Sequence, residues 1–159
     1  MSQRWWGFGI VLLTLAMILI AVGLEYVKHL MPCNLCILQR IAYMSAGIGG
    51  LFLWVLPVRR WSRLLGSLWL VISSLSGIAI ASRQIWLQHL PASQVPACGP
   101  GFQYLLANFP LHDALMLLLS GDGNCAAVDL RLLGFSMAVW SCLGFVLLLG
   151  LGLKVLFKK

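Results

Sequence analysis

Four stretches of this chain run without a single charged side chain, and each is about as long as a helix must be to cross a bilayer. Between Arg4 and Glu25 lie 20 such residues, and further uncharged runs fill 41–58, 64–82 and 132–153. A transmembrane helix needs roughly 20 apolar residues to span about 30 Å of hydrocarbon. Composition points the same way: 61% of the 159 residues are hydrophobic and 9% are charged, which is too apolar for an ordinary soluble domain. The expected fold is therefore an all-α membrane protein. It is a four-transmembrane-helix bundle forming a single integral membrane domain over 1–159, with spans at about 5–24, 37–58, 64–82 and 132–153. The first run has a short basic start like a signal peptide. It is long, however, lacks a clean small-residue cleavage site and precedes three more spans, so it is expected to be retained.

Positive charge gives the expected orientation. Arg4, Arg59, Arg60, Arg63, Lys154, Lys158 and Lys159 all fall on one side of the four spans, the side expected to be cytoplasmic together with both termini. On the other side Lys28, Arg40, Arg83 and Arg131 are balanced by Glu25, Asp113, Asp122 and Asp129, so the formal charge of +7 belongs to the cytoplasmic side. These basic residues flank apolar spans rather than interleaving with aromatics on a soluble face. That is topology and contact with anionic lipid, not nucleic-acid binding.

Two exported loops remain, at about 25–36 and 83–131. Cys33 and Cys36 belong to the first, Cys98 and Cys125 to the second, and Cys142 lies inside the last span. An exported compartment permits disulfides, and four cysteines allow three pairings, of which proximity favours 33–36 and 98–125. Cys33 and Cys36 have the CxxC spacing of thiol redox sites. Cys98 and Cys125, 27 positions apart, close a loop rich in turn formers that can flex and exchange partners. Both pairs could be inert staples, but a small bundle already held by lipid needs little stapling. Cys142, alone in its span, reads as an unreactive packing thiol.

The residues around CxxC sharpen the redox reading. Pro32 can open a helix, which puts Cys33 and Cys36 in the first turn of the second span. Unpaired amide donors and the helix dipole favour a thiolate there. Arg40, four residues beyond Cys36, lies on the same face one turn deeper. Its cation can stabilise that thiolate and bind an oxygen of an electron acceptor, although an arginine at this depth can also be a snorkelling anchor. The two electrons released when a dithiol closes need a destination, and the chain carries no haem CxxCH motif or flavin fingerprint. A lipid-soluble quinone, ubiquinone or menaquinone, fits that need. Zinc or an iron–sulfur cluster on four thiolates is the competing chemistry, but the spacing lacks a second close pair, so no metal is expected.

At the exported end of the third span stands Arg83-Gln84-Ile85-Trp86-Leu87-Gln88-His89, where His89 is a candidate donor to the quinone ring or else an ordinary loop histidine. Farther on, Phe102, Leu105, Leu106 and Phe109, then Leu111, Leu115, Leu118 and Leu119, repeat at helical spacing. Two short membrane-surface helices are expected there, holding Cys98 and Cys125 close to Cys33 and Cys36 without freezing them.

Pro32-Cys33-Asn34-Leu35-Cys36-Ile37-Leu38-Gln39-Arg40, Cys98 after the third span, and Ser120-Gly121-Asp122-Gly123-Asn124-Cys125 before the fourth together resemble the DsbB family, bacterial membrane quinone reductases that reoxidise the periplasmic thiol oxidase DsbA. The resemblance covers nearly the whole chain. It implies that Cys98 is attacked in the mixed disulfide with a DsbA-like partner, that Cys125 is its companion, and that Cys33 exchanges with that loop pair. It also implies that Cys36 meets the quinone, that Arg40 supports the quinone, and that His89 stands where some members have a histidine near it. Gln39 departs from the family's acidic residue, the stretch from His89 to Cys98 is shorter, and Gly123-Asn124 adds a residue before Cys125. The resemblance implies an inner-membrane, quinone-dependent protein dithiol oxidase. The competing readings are a paralogous membrane thiol reductase or oxidase serving another dedicated partner, and a non-enzymatic membrane module with structural disulfides.

Overall fold

A computed structural model describes residues 3–29, 32–57, 60–99, 101–126 and 131–157. Four long helices dominate it: α1 (Gln3–Lys28), α2 (Asn34–Val55), α3 (Arg60–Gln88) and α7 (Met137–Leu156). All four are long and apolar enough to cross a membrane. Between α3 and α7 come a 3-10 turn at Ala92–Gln94, the short helices α4 (Phe102–Asn108), α5 (Leu111–Ser120) and α6 (Gly123–Ala126), and a hairpin of β1 (Arg131–Leu132) with β2 (Phe135–Ser136).

The helix ends follow local chemistry. α1 stops at Lys28, whose cation suits the negative end of the helix dipole, and His29 turns the chain away in the left-handed conformation at φ 51°. α2 stops before Pro57, with Leu56 extended at ψ 149°, as the ring of a following proline requires. The last uncharged run begins at 132, yet α7 begins only at Met137. Leu133 and Gly134 both take positive φ, 52° and 86°, and make the two-residue reversal that pairs Arg131 with Ser136 and Leu132 with Phe135. Such a turn matches the twist of a two-stranded ribbon.

Lipid supplies little hydrophobic drive between helices, so close packing of small residues holds the bundle together. α2 is the central helix. Ser45 and Ser73 join it to α3 through hydroxyls 2.8 Å apart, and Trp69 Nε1 donates to Ser45 O at 3.0 Å. Tyr43 stacks on Phe145 of α7 with ring centroids 4.0 Å apart and donates to Ser141 O at 2.8 Å. The outer faces leave Leu12, Leu19, Leu65, Ile72, Leu143 and Leu147 exposed, as lipid-facing positions require.

Against α1 the helix backbones themselves come close. A Cβ on Gly7 would lie 2.5 Å from Trp54 N, 2.7 Å from Gly50 O and 2.8 Å from the Leu53 carbonyl carbon. These are backbone atoms, which cannot rotate aside. Gly7→Leu should therefore pry α1 from α2 and cost at least about 3 kcal/mol. Gly9→Leu, with nothing within 4 Å of its Cβ position, should be nearly silent. Thermal unfolding of both variants in detergent tests this, and equal melting temperatures would contradict the contact.

One end of the bundle gathers charge. Gln3 Nε2 reaches Leu53 O at 3.3 Å and Ser62 Oγ at 3.5 Å, and Lys154 Nζ lies 5.0 Å from the Trp6 ring centre. The ends carrying Arg4, Arg60, Arg63 and Lys154 therefore meet at one end of the molecule. Arg59, Lys158, Lys159 and Asp129 of the sequence-based charge count lie outside the described residues.

Candidate active site

At the opposite end a second core forms where the start of α2, the end of α3 and the three short helices converge. Cys33, Leu35, Leu38, Leu87, Leu105, Ala114, Leu118 and Cys125 are buried together, with Cys36 packed against them. α4 and α5 send Leu105, Ala114 and Leu118 inward while Leu106, Phe109, Leu111, Leu115 and Leu119 stay exposed. These are the two short amphipathic helices expected from the repeat, and only one edge of each stripe faces the protein.

Cys33 is the residue before α2, with extended backbone, and its sulfur accepts from Cys36 N at 3.3 Å. Cys36 thus stands in the first helical turn behind Pro32, and the two Sγ atoms are 2.8 Å apart as free thiols. Cys33 also hydrogen-bonds to Cys125. These hydrogen bonds, to Cys125 first and then to Cys36, together with burial, push the Cys33 thiol far above its ordinary range. Cys125 moves the other way. The hydrogen bond from Cys33 holds it below the ordinary thiol value, assisted by backbone hydrogen bonds at Asp122 and Leu35, while burial acts in opposition. In this arrangement Cys33 keeps its proton and Cys125 is the readier thiolate.

The chain brings Cys125 to this place through Gly121 and Asp122 of the Ser120–Cys125 motif. Gly121 ends α5 at φ 74°, with its Cα so close to Leu87 that a Cβ would fall 2.5 Å from Leu87 Cδ1. Only glycine combines that backbone with that approach. The next residue, Asp122, is buried. It accepts from Cys125 N at 3.2 Å through Oδ1, capping α6, and from Asn34 Nδ2 at 3.2 Å through Oδ2. One carboxylate therefore ties the helix carrying Cys125 to the turn carrying Cys33. Cys98 is exposed beside it: Gly123 N donates to Ala97 O at 3.4 Å, and a Cβ on Gly123 would sit 3.2 Å from Cys98 Sγ. Cys142 is apart from this group, half-buried in α7.

The other residues singled out from the sequence land differently. Arg40 is one turn deeper than Cys36, but its Nη2 is engaged with the Glu25 carboxylate of α1. The pair is half-buried at 19% and 20% side-chain exposure. α1 continues nearly one turn past Glu25 and so lays that carboxylate against the second turn of α2. His89 is exposed just past the end of α3, its Nδ1 2.7 Å from Ile85 O. The side chain that α3 sends to the cysteines is instead Gln84, buried, with Nε2 at 3.3 Å from Cys36 Sγ and 3.5 Å from Cys33 Sγ. Gln39 of α2 donates to Gln84 Oε1 at 2.7 Å. Sequence reading gave Gln84 and Gln39 no part in the site. Arg83 clamps the loop, donating to Ser120 O at 3.1 Å while lying 4.3 Å from the Trp86 ring centre.

Comparison with known proteins bears on this cysteine cluster. The family model described as "Disulfide bond formation protein DsbB" matches residues 3–155. The chain belongs to the DsbB family. It is 42% identical to a disulfide bond formation protein B of Marinobacter nauticus over 160 aligned positions, covering 100% of this chain and 95% of that one. It is 41% identical to one of Nitrosococcus oceani, covering 93% of this chain and 88% of the relative, and 42% identical to one of Acinetobacter baumannii, covering 87% and 81%. No solved structure matches it. Family and fold together make the chain a multi-pass DsbB-type protein of the bacterial inner membrane, a disulfide-forming oxidoreductase.

Proposed function

We propose that this protein reoxidises a DsbA-like periplasmic thiol oxidase and passes the two electrons through Cys98–Cys125 and Cys33–Cys36 to membrane quinone. The observation that carries this reading is the position of Cys33, hydrogen-bonded to both Cys36 and Cys125, while Cys98 is exposed on the adjoining segment.

The relay starts from two disulfides. A partner thiolate attacks Cys98, and Cys125 leaves as a thiolate, to which the backbone hydrogen bonds at Asp122 and Leu35 remain available while Cys33 is still held in its disulfide. Cys125 then attacks Cys33: the 33–36 bond breaks, a 33–125 bond forms, and the negative charge moves to Cys36. The partner's second thiol releases the partner as its disulfide and frees Cys98, which attacks Cys125 and restores 98–125. Cys33 and Cys36 are left reduced. Each exchange breaks one S–S bond and makes one, and the net result is two electrons moved from the partner to the 33–36 pair.

A bound quinone would supply the acceptor for those two electrons and two protons. The donor set suits it. Arg40 gives Glu25 one of its nitrogens, leaving further N–H groups of its five for a ring oxygen. Cys36 is partly exposed one turn above Arg40, and His89 is a further candidate. Ring oxygens of ubiquinone and menaquinone are equally suited to such donors.

The decisive experiment mixes purified protein, a reduced DsbA-like partner and ubiquinone-1 or a menaquinone analogue. Coupled loss of quinone and partner thiols is the expected result, and partner thiols that persist while the quinone is untouched would refute the proposal. The orientation, with the basic end cytoplasmic and the cysteines periplasmic, predicts that a membrane-impermeant maleimide labels Cys98 on reduced spheroplasts. Labelling that requires a breached inner membrane would reverse it.

A further inference from the structure

We infer that Gln84 is a catalytic residue of the thiol relay, a hydrogen-bond donor that Gln39 orients toward Cys33 and Cys36 and that stabilises Cys36 as it leaves in the exchange. The inference rests on the relay proposed above. Gln84 and Gln39 are both buried, on different helices, and neither is explained by solvation at a helix end. Gln39 Nε2 donates to Gln84 Oε1 at 2.7 Å, which fixes the carboxamide with its NH2 group toward the sulfurs, 3.3 Å from Cys36 and 3.5 Å from Cys33.

A buried thiolate is costly unless a donor meets it. When Cys125 attacks Cys33, the 33–36 bond breaks and the 33–125 bond forms, the electron pair goes to Cys36 Sγ, and no proton moves. The charge thus develops beside Gln84 Nε2. A carboxamide is suited to both stages of the cycle, because Gln84 Oε1 also lies 3.8 Å from Cys36 Sγ on the acceptor side of a thiol. Such a donor stays neutral, so it aids the leaving sulfur without fixing a charge in the resting site.

The test needs neither quinone nor partner. The full chain in detergent is reduced with dithiothreitol, desalted anaerobically and exposed to iodoacetamide, and alkylation at Cys36 and Cys98 is followed by peptide mass spectrometry. Gln84→Met keeps the shape and removes the donor, while Gln84→Asn keeps the donor and shortens its reach by one methylene. Both should slow alkylation of Cys36 by about tenfold, the loss of one hydrogen bond to a charged acceptor, while Cys98 in the same molecules reacts at the unaltered rate. Gln39→Met, which frees the carboxamide to turn, should give a smaller loss. If Gln84→Met is unstable, Gln84→Asn carries the decision. Unaltered Cys36 alkylation in the folded variant overturns the inference. Failure of the unaltered protein to couple partner and quinone would instead overturn the proposed function and leave the alkylation result standing.

Discussion

Cys98→Ser should abolish oxidation of the protein partner while sparing the quinone end of the relay. A folded partner can approach only a sulfur that protrudes, and Cys98 is the exposed member of the cluster, whereas Cys33 and Cys125 are buried. The serine hydroxyl cannot form the mixed disulfide, so partner oxidation should fall by roughly three orders of magnitude or more, as expected when a covalent participant is lost. The Cys33–Cys36 pair is unchanged in that variant. A small dithiol that can enter beside Cys36 should still drive quinone reduction. The measurement is quinone absorbance with each donor in turn. Equal loss with both donors would mean that Cys98 supports the fold of the site rather than admitting the partner.

The parts of this site that were legible in the sequence are those set by local chemistry. Uncharged runs locate the helices because a buried charge in lipid is expensive, and Pro32 before Cys33 announces a helix start at which the first turn offers free amides. The repeat from Phe102 to Leu119 announces two short helices for the same reason of periodicity. Contacts made across the fold left no such trace. Glu25 and Arg40 are 15 positions apart on separate helices; the sequence set Arg40 against Cys36 and an electron acceptor, and Glu25 only in the charge balance, so nothing in it joined the two. Asn34 and Asp122 are 88 positions apart, and nothing near either one calls for the other.

Gln84 is the instructive case. Counting charge-free residues stopped the third span at 82 because Arg83 follows, and the polar stretch beyond it read as the span's exported end. The helix in fact continues to Gln88, about 43 Å in all at 1.5 Å per residue against roughly 30 Å of hydrocarbon, and its last turns enter the second core. Leu70, Ser74, Gly77, Ala81 and Gln84 form one row of its buried face, spaced by four, three, four and three. That small-residue stripe continues through the charged position without interruption, and following it would have led to Gln84. The same stripe leaves His89 beyond the helix end. The hairpin before α7 was hidden for the opposite reason: an uncharged run cannot distinguish helix from turn, and Leu133 adopts a backbone that its side chain does not advertise.

Cys36→Ser should stop quinone turnover with either donor. Delivery of electrons to a lipid-borne acceptor needs a sulfur at the hydrocarbon boundary, and Cys36 is the cysteine in the first turn of a membrane-length helix. Without it Cys33 has no nearby partner except Cys125, and the 33–36 disulfide that must be regenerated cannot form. The serine variant should nevertheless trap the protein partner, because Cys98, Cys125 and Cys33 can still exchange, and a mixed disulfide should accumulate on non-reducing gels. Arg40→Ala should fall between this variant and the unaltered protein. It removes donors whose charge-assisted hydrogen bonds are worth roughly 1.5–3 kcal/mol each and leaves the Glu25 carboxylate without its partner. Its loss should therefore appear mainly as a higher quinone concentration for half-maximal rate. Quinone consumption is measured for both variants with reduced partner and again with a small dithiol. Turnover by Cys36→Ser with either donor would place the electron exit at another sulfur, and Cys33, its neighbour at 2.8 Å, would then be the one to replace next.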